Sequence, residues 1–136
     1  MPALVFKIRN DLKDLAGVAI ATTEFLHSNG ASPEVIFAAN LAIEEMVSNT
    51  IKYAYSDGFE HQIEIRLLLG ANALEIEICD DGCPFDPRTY PAPPPSADRD
   101  KREAGGLGIH FVRNILDSFS YVRREGENVV KLTKRL

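Results

Sequence analysis

The sequence contains few of the residues that mark disulfide-rich or zinc-binding proteins. Its 136 residues include two cysteines, three histidines and no tryptophan. Two cysteines do not make a disulfide framework, and we expect Cys79 and Cys83 to be reduced thiols of a cytosolic protein. Because the three histidines are scattered along the chain, a zinc site of cysteine and histidine ligands is not expected.

The chain also lacks a basic excess and a long apolar run. Its 15 Lys and Arg residues against 20 Asp and Glu residues give a formal net charge of −5, which argues against a surface that coats DNA or RNA. Apolar runs such as 67–69 are far too short to span a bilayer, and the N-terminus has no signal-peptide pattern. We therefore predict a cytoplasmic protein that contacts neither nucleic acid nor membrane.

The composition that remains is that of an ordinary globular domain. Hydrophobic residues make up 45% of the chain and charged residues 26%. A chain of this length can bury a core without the help of disulfides or metals. We expect one domain over residues 1–136.

The spacing of the apolar residues predicts five strands and three helices. The predicted strands cover 4–9, 62–69, 73–80, 118–124 and 128–136. The predicted helices cover about 11–29, about 33–55 and a segment that opens at 105–108. Asn10 is expected to cap the first helix, and Ser32 followed by Pro33 the second. This order predicts an α+β fold, a two-layer sandwich with helices on one face of a mixed, mostly antiparallel sheet.

A proline-rich and charged segment separates the third strand from the third helix, over about 81–105. It holds six of the eight prolines and the charged run 98–103. Loops of this length inside a compact domain are usually lids or disordered segments. We predict a lid.

Three polar residues of the second helix form the first candidate site. Glu45, Asn49 and Lys52 are predicted on the side opposite the packing stripe, which consists of Ile36, Ala39, Ile43, Met46, Val47 and Thr50. A carboxylate, a carboxamide and an ammonium group can serve a water, a magnesium ion and a phosphate. Taken alone, such a trio is more typical of a solvated helix face. Glu44 adjoins Glu45, but only Glu45 lies one turn before Asn49 and on its face.

Two further segments are candidates for binding. The segment 79–86, which contains the Asp-Asp-Gly run (80–82), lies at the end of a buried strand. A carboxylate there can accept a hydrogen bond from an exocyclic amine, and a glycine lets the backbone approach a planar ring. An acidic turn is the simpler alternative. The Gly-Gly-Leu-Gly run (105–108) precedes a helix, whose free amide groups and dipole suit a phosphate. A flexible hinge explains these glycines equally well.

Together, the three segments resemble the N, G1 and G2 boxes of the GHKL ATPase and kinase superfamily in their order and placement. The Glu-Glu-Met-Val-Ser-Asn run (44–49), the Asp-Asp-Gly-Cys-Pro-Phe-Asp run (80–86) and the Gly-Gly-Leu-Gly-Ile run (105–109) are most similar to those of the bacterial anti-sigma-factor serine/threonine kinases. The resemblance covers nearly the whole chain. It implies the Bergerat ATP-binding fold, with ATP and Mg²⁺ as cofactors.

The resemblance also implies a role for each site residue. Asn49 would coordinate the magnesium ion, and Glu45 would be the general base that takes the proton of a serine or threonine hydroxyl. Lys52 would contact phosphate, and Asp80 would accept a hydrogen bond from the adenine amino group. Gly82 would lie beneath the adenine ring. The remaining implied contacts are those of the lid with the phosphates, through Gly106, Leu107 and Gly108.

Three positions depart from the family pattern. Tyr53 stands where these kinases often carry histidine, and Pro84 stands where the superfamily usually has a second glycine of the G1 box. The superfamily often has a threonine in the last strand, near the position of Asp80 in space. Asn128 stands there in this chain, so the adenine contact is expected through Asn128 or through water.

The function implied by the resemblance is that of an anti-sigma-factor kinase. Such a protein phosphorylates an antagonist of the STAS type, and when free of that antagonist it sequesters a sigma factor or another target. Members of this branch commonly form homodimers. One alternative is an ATP-dependent binding module without phosphotransfer. Another is the catalytic domain of a histidine kinase, which the Lys52-Tyr53 pair favours and the lack of a dimerising helical hairpin disfavours.

Overall fold

The computed structural model describes residues 1–89 and 106–136, and these ranges contain three α-helices and five strands. The helices are α1 (Leu15–Ser28), α2 (Pro33–Tyr53) and α3 (Gly106–Ile115). The strands are β1 (Ala3–Arg9), β2 (Gln62–Leu69), β3 (Ala73–Asp80), β4 (Ser118–Arg124) and β5 (Glu127–Arg135). Every predicted strand is confirmed to within one residue at each end.

The five strands form one sheet in the order β1-β2-β3-β5-β4. All four pairings are antiparallel, so the sheet is more regular within the described ranges than the mixed sheet that the sequence predicted. In the pairing of β3 with β5, Ile78 lies opposite Val130 and Asp80 lies opposite Asn128. The register therefore places one polar pair at the end of an apolar row.

The three helices cover one face of this sheet. Side chains of β2, β3 and β5 alternate between buried and more exposed positions, as expected for a sheet with one covered face. The buried strand residues include Ile63, Ile65, Leu67, Leu74, Ile76, Ile78, Val130 and Leu132. The helices contribute Val18, Leu26, Ala39, Ile43, Met46, Val47, Ile109 and Val112 to the same cluster. The predicted two-layer α+β fold is confirmed.

The start of α2 follows the sequence prediction. The Ser32 hydroxyl accepts a hydrogen bond from the backbone N–H of Val35 at 3.3 Å, and Pro33 occupies the first turn. Both features are typical of a helix N-terminus, because they satisfy or remove N–H groups that have no partner within the helix. The helix ends at Tyr53, two residues before the predicted end.

The predicted cap of the first helix is wrong. Asp11 is the capping residue, since its carboxylate accepts the N–H of Lys13 at 2.9 Å and opens a short 3-10 turn (Leu12–Asp14) ahead of α1. Asn10 is engaged elsewhere, because its Oδ1 accepts the N–H of His61 at 2.9 Å. A contact with the segment before β2 therefore decides between two residues that are both good caps.

The predicted lid is described only in its first part. Residues 87–89 form a short 3-10 turn (Pro87–Thr89), in which Pro87 is buried. Positions 90–105 of the predicted lid lie outside the described residues. In the part of the chain that the structure describes, no helix combines the length and the apolar character needed to cross a membrane.

Candidate functional site

Asn49 lies on the buried side of α2, with an exposed fraction of 1%. The prediction that placed it opposite the packing stripe is therefore wrong, whereas Glu45 is half-buried and Lys52 is exposed. Helix geometry gives the reason: Ala42 is buried and precedes Asn49 by seven residues, about two turns, so the two share a face. Had Ala42 been counted in the stripe, the sequence would have placed Asn49 correctly.

The amide of Asn49 has a donor without a partner. Its Nδ2 is buried and has no hydrogen-bond partner among the described residues. A buried donor without a partner costs about 1–3 kcal/mol, and native proteins rarely keep one without a reason. If Asn49 served packing alone, an apolar residue of similar size could take its place without a loss of stability. The unpaired donor makes Asn49 a candidate for a binding site.

Glu45, one turn earlier on α2, reaches the N-terminal turn of α3. Its carboxylate occupies the space beside Gly108: a Cβ atom built on residue 108 would collide with Oε2 and Cδ of Glu45 and would lie 2.9 Å from Oε1. The absence of a side chain at position 108 is thus what gives the carboxylate its room. This contact joins the predicted N-box and G2-box residues.

The surroundings of Glu45 favour its protonated form. Burial raises the pKa of the Glu45 carboxyl, the neighbouring Glu44 carboxylate raises it further, and the Lys52 ammonium lowers it. A carboxylate with a raised pKa is a stronger base. Glu44 lies away from this contact and lines a cavity between α1 and α2 with Leu15 and Asn40. The structure thus separates the two adjacent glutamates.

Asp80 is buried at the end of β3, with an exposed fraction of 3%. Its Oδ1 accepts the backbone N–H of Gly82 at 2.9 Å and an N–H of the Asn128 amide, also at 2.9 Å. Burial raises the pKa of Asp80, and these two hydrogen bonds oppose the rise because they favour the carboxylate. Within residues 1–89 and 106–136, the hydrogen bonds of Asp80 involve Oδ1 alone, and Oδ2 remains for another donor.

The loop after β3 lies against the C-terminal end of α2. A Cβ atom on Gly82 would lie 2.6 Å from both the Cβ and the carbonyl oxygen of Ala54. The next residue, Cys83, donates its N–H to that same oxygen at 2.8 Å. Because backbone forms part of this contact, only glycine fits at position 82 without movement of the helix end or the loop.

Two residues of β4, which the sequence did not identify, support this loop. The Tyr121 hydroxyl donates to Oδ1 of Asn128 at 2.6 Å, and the Arg123 guanidinium donates to the carbonyl of Gly82 at 2.7 Å. The sequence does contain a feature from which their location could have been predicted. The two-residue turn at 125–126 sets β4 against β5, with Arg123 opposite Asn128.

Asp81 takes different partners from its neighbour. Its exposed carboxylate accepts the Tyr55 hydroxyl at 3.2 Å and lies 3.2 Å from Nδ1 of His61. The other ring nitrogen of His61 lies 2.7 Å from Asp57, and hydrogen bonding to Asp57 raises the pKa of His61. Asp81 therefore links the loop after β3 to the α2–β2 connection. Asp80 has no part in this link.

The site residues predicted from sequence fall into two groups along α2. One group is Glu45 with Gly108, and the other is Asp80 with Gly82 beside Ala54. The helix positions 45 and 54 are nine residues apart, or about 14 Å, with Asn49 between them. Gly106 and Leu107 form the first turn of α3 in the backbone, and the side chain of Leu107 lies outside the described residues.

A comparison with known protein families identifies the class of this domain. A family described as the histidine kinase-like ATPase domain matches residues 8–134, which include both groups of site residues. The chain belongs to this family. The resemblance of its three polar segments to the GHKL boxes is thereby confirmed.

Curated relatives of this histidine kinase-like ATPase domain include several serine kinases. The serine/threonine-protein kinase BtrW of Bordetella bronchiseptica is 28% identical over 102 residues, which cover 75% of this chain and 72% of the relative. The serine-protein kinase RsbW of Listeria monocytogenes is 27% identical over 108 residues, which cover 74% of this chain and 67% of the relative. The chain is similar to both kinases at low identity.

A solved structure shows the same fold. The crystal structure of the RsbU and RsbW domains of Rv1364c from Mycobacterium tuberculosis matches 100% of this chain with a TM-score of 0.70 and 17% sequence identity. The match covers 33% of that longer chain. At this identity the likeness shows the fold, and it agrees with the two-layer arrangement described above.

A magnesium ion, implied by the resemblance to ATP-dependent kinases, fits the residues present. Mg²⁺ at nucleotide sites is commonly held by one or two protein oxygens together with substrate phosphates and waters. The Asn49 amide, which is buried and has an unpaired Nδ2 donor, carries such an oxygen on the same group. No group of three or more His, Cys, Asp or Glu side chains that could hold a metal occurs in the described ranges. The ion would therefore depend on the nucleotide for most of its ligands.

Proposed function

We propose that this histidine kinase-like ATPase domain binds ATP with Mg²⁺ and transfers the γ-phosphoryl group to a serine or threonine hydroxyl of a partner protein. The observation that carries the proposal is the contact of the Glu45 carboxylate with Gly108 at the start of α3. The N-terminal end of a helix attracts phosphate. A carboxylate beside it would weaken plain nucleotide binding by repulsion, so its presence supports a chemical role.

The two groups of site residues divide the work of nucleotide binding. Asp80 offers Oδ2 to the exocyclic amino group of adenine, and Gly82, packed against Ala54, holds the loop on which the ring would lie. At the other end, the amide groups at the start of α3 bind the phosphates and Lys52 adds positive charge. Asn49, which lies between the two ends, would hold the magnesium ion through its amide oxygen.

The chemistry proposed for Glu45 is general base catalysis. The hydroxyl proton of the partner's serine or threonine passes to a carboxylate oxygen of Glu45, as the hydroxyl oxygen forms a bond to the γ-phosphorus and the bond to the ADP oxygen breaks. The raised pKa of Glu45 suits this role, because it makes the carboxylate a better proton acceptor. Magnesium, when bound, neutralises charge on the phosphates, and such transfer relies mainly on positioning and charge neutralisation.

The partner class is proposed from the kinds of protein to which the chain is similar. Its relatives are named serine and serine/threonine kinases, and the sequence motifs resemble those of anti-sigma-factor kinases. We place the substrate among STAS-type antagonists, with a sigma factor or another regulator as the second partner. The same proposal includes a homodimer and a cytoplasmic location. It also includes a single domain over residues 1–136, with a lid at 81–105.

Transfer of labelled phosphate tests the proposal. Wild type, Glu45→Gln and Glu44→Gln are incubated with Mg²⁺, γ-labelled ATP and candidate STAS proteins, and ATP affinity is measured in parallel. We expect Glu45→Gln to lose about 10²–10⁴-fold in transfer rate and to retain ATP binding. Glu44→Gln is the matched control, since it removes a carboxylate from the adjacent position, and it should retain transfer.

The same experiment decides the alternative of an ATP-dependent binding module. If wild type binds ATP and a STAS protein but phosphorylates none, and Glu45→Gln behaves identically, the domain is a nucleotide-gated binder. If wild type binds no ATP at all, the proposed function is wrong in both forms.

A further inference from the structure

The amide of Asn128 uses all of its hydrogen-bonding capacity within the protein. Its Nδ2 donates to Oδ1 of Asp80 at 2.9 Å and to the carbonyl of Cys83 at 2.8 Å. Its Oδ1 accepts the N–H of Phe85 at 3.2 Å and the hydroxyl of Tyr121 at 2.6 Å. An amide has two N–H donors and two acceptor lone pairs, so none is left for a ligand. The sequence-based expectation that Asn128 itself contacts adenine is therefore not supported.

Asn128 instead determines which oxygen of Asp80 is available. Oδ1 already accepts from Gly82 and Asn128, and both bonds favour the ionised carboxylate. With Oδ1 held by two donors from the protein, rotation of the carboxyl group would break both. Asp80 is thus presented as a fixed acceptor through Oδ2.

Asn128 also holds the loop on which a ring would lie. Its two bonds to Cys83 and Phe85 span Pro84, which has no N–H to contribute. The exposed fraction of Asn128 is 1%, and its location opposite Asp80 is fixed by the β3–β5 register. One buried side chain therefore orients both the acceptor and the adjacent loop.

We propose that Asn128 is the positioning residue that gives the site its preference for a 6-amino purine over a 6-oxo purine. This inference rests on the proposed function, because it concerns the base of the bound nucleotide. A fixed, ionised Asp80 accepts from an amino group and repels a carbonyl oxygen. A carboxyl group released from Asn128 can rotate, and when protonated it can donate to the carbonyl, so discrimination between the two bases falls.

A matched pair of variants tests this proposal. Asn128→Thr and Asn128→Val have side chains of nearly the same shape, but only threonine can donate a hydrogen bond to Asp80. The affinities of wild type and both variants are measured for ATP and for inosine triphosphate, which carries oxygen in place of the 6-amino group. We expect the ratio of the two affinities to be about tenfold smaller in Asn128→Val than in Asn128→Thr, the effect of one hydrogen bond to a charged group.

The ratio of the ATP affinity to the inosine triphosphate affinity separates positioning from a general structural role. Loss of stability alone would weaken the binding of both nucleotides by the same factor and leave the ratio unchanged. If Asn128→Val does not fold, Asn128→Ser and Asn128→Ala provide the same comparison at smaller volume. Equal ratios in wild type and in both members of a folded pair would overturn this inference and leave ATP binding intact. Failure of wild type to bind ATP would overturn the proposed function, and this inference with it.

Discussion

The carboxylate of Glu45 occupies the space that a Cβ atom on Gly108 would need. Because the colliding atoms belong to the flexible end of a side chain, Gly108→Ala should displace Glu45 without unfolding the protein. We expect the rate of phosphotransfer to fall about a hundredfold, as is typical when a catalytic group is misplaced by about 1 Å. Single-turnover transfer and thermal unfolding, measured on the same preparation, check both parts.

Gly17→Ala is the control for this substitution. Gly17 lies in α1, and nothing is within 4 Å of a Cβ atom built on it. Alanine there should raise the free energy of unfolding by about 0.5–1 kcal/mol, as expected for a helix interior, with transfer unchanged. Equal transfer rates in Gly108→Ala and Gly17→Ala would show that the position of Glu45 does not matter for activity.

The pH dependence of transfer should report the surroundings of Glu45. The rate should rise with pH as the carboxyl loses its proton, at a pKa above the ordinary value of 4.5. Glu44→Gln removes a negative charge that raises this pKa, so the acid limb should move to lower pH. Lys52→Gln removes a positive charge that lowers it, so the limb should move to higher pH. The profiles are measured at saturating ATP, and shifts in the same direction for both variants would contradict the assignment of the limb to Glu45.

Substitution of Asn49 should affect stability and nucleotide binding in opposite directions. In Asn49→Leu the buried donor without a partner disappears, and we expect the unliganded protein to keep its stability or gain up to about 1–3 kcal/mol. Binding of ATP in the presence of Mg²⁺ should be lost. Chemical unfolding and calorimetric titration measure the two effects.

Asn40→Leu provides the comparison on the same helix. The Asn40 amide donates to the Thr23 hydroxyl at 2.9 Å and to the carbonyl of Ile36 at 3.1 Å. Its loss should lower the free energy of unfolding by about 1 kcal/mol and leave nucleotide binding intact. If Asn49→Leu were the more destabilising of the two, Asn49 would be a structural residue.

The secondary structure was largely predictable because its signals are local. Alternating apolar residues in β3 and the Ser32-Pro33 pair at the start of α2 each depend on neighbours a few positions away. The first helix shows where local signals are insufficient. Asn10 and Asp11 are equally good caps, and the choice between them depends on the contact of Asn10 with His61, which is 51 positions away.

The candidate site divides in the same way. Glu45, Asp80, Gly82 and Gly108 belong to short runs that the sequence displays directly. The bond between Asn128 and Asp80 joins residues 48 positions apart, and it requires the order of the strands. Helix periodicity is sufficient to predict the buried location of Asn49, provided that the small residue Ala42 is included in the packing stripe.

The alternation of β5 has a consequence for tolerance of insertions and deletions. Asn128 lies on the same face of the strand as the buried Val130 and Leu132. Deletion of Val129 would turn either the amide or the two apolar side chains to the opposite face. As long as the strand keeps its present length, a register that buries Val130 and Leu132 also brings Asn128 to Asp80. Selection for a packed core therefore also preserves the pairing of Asn128 with Asp80.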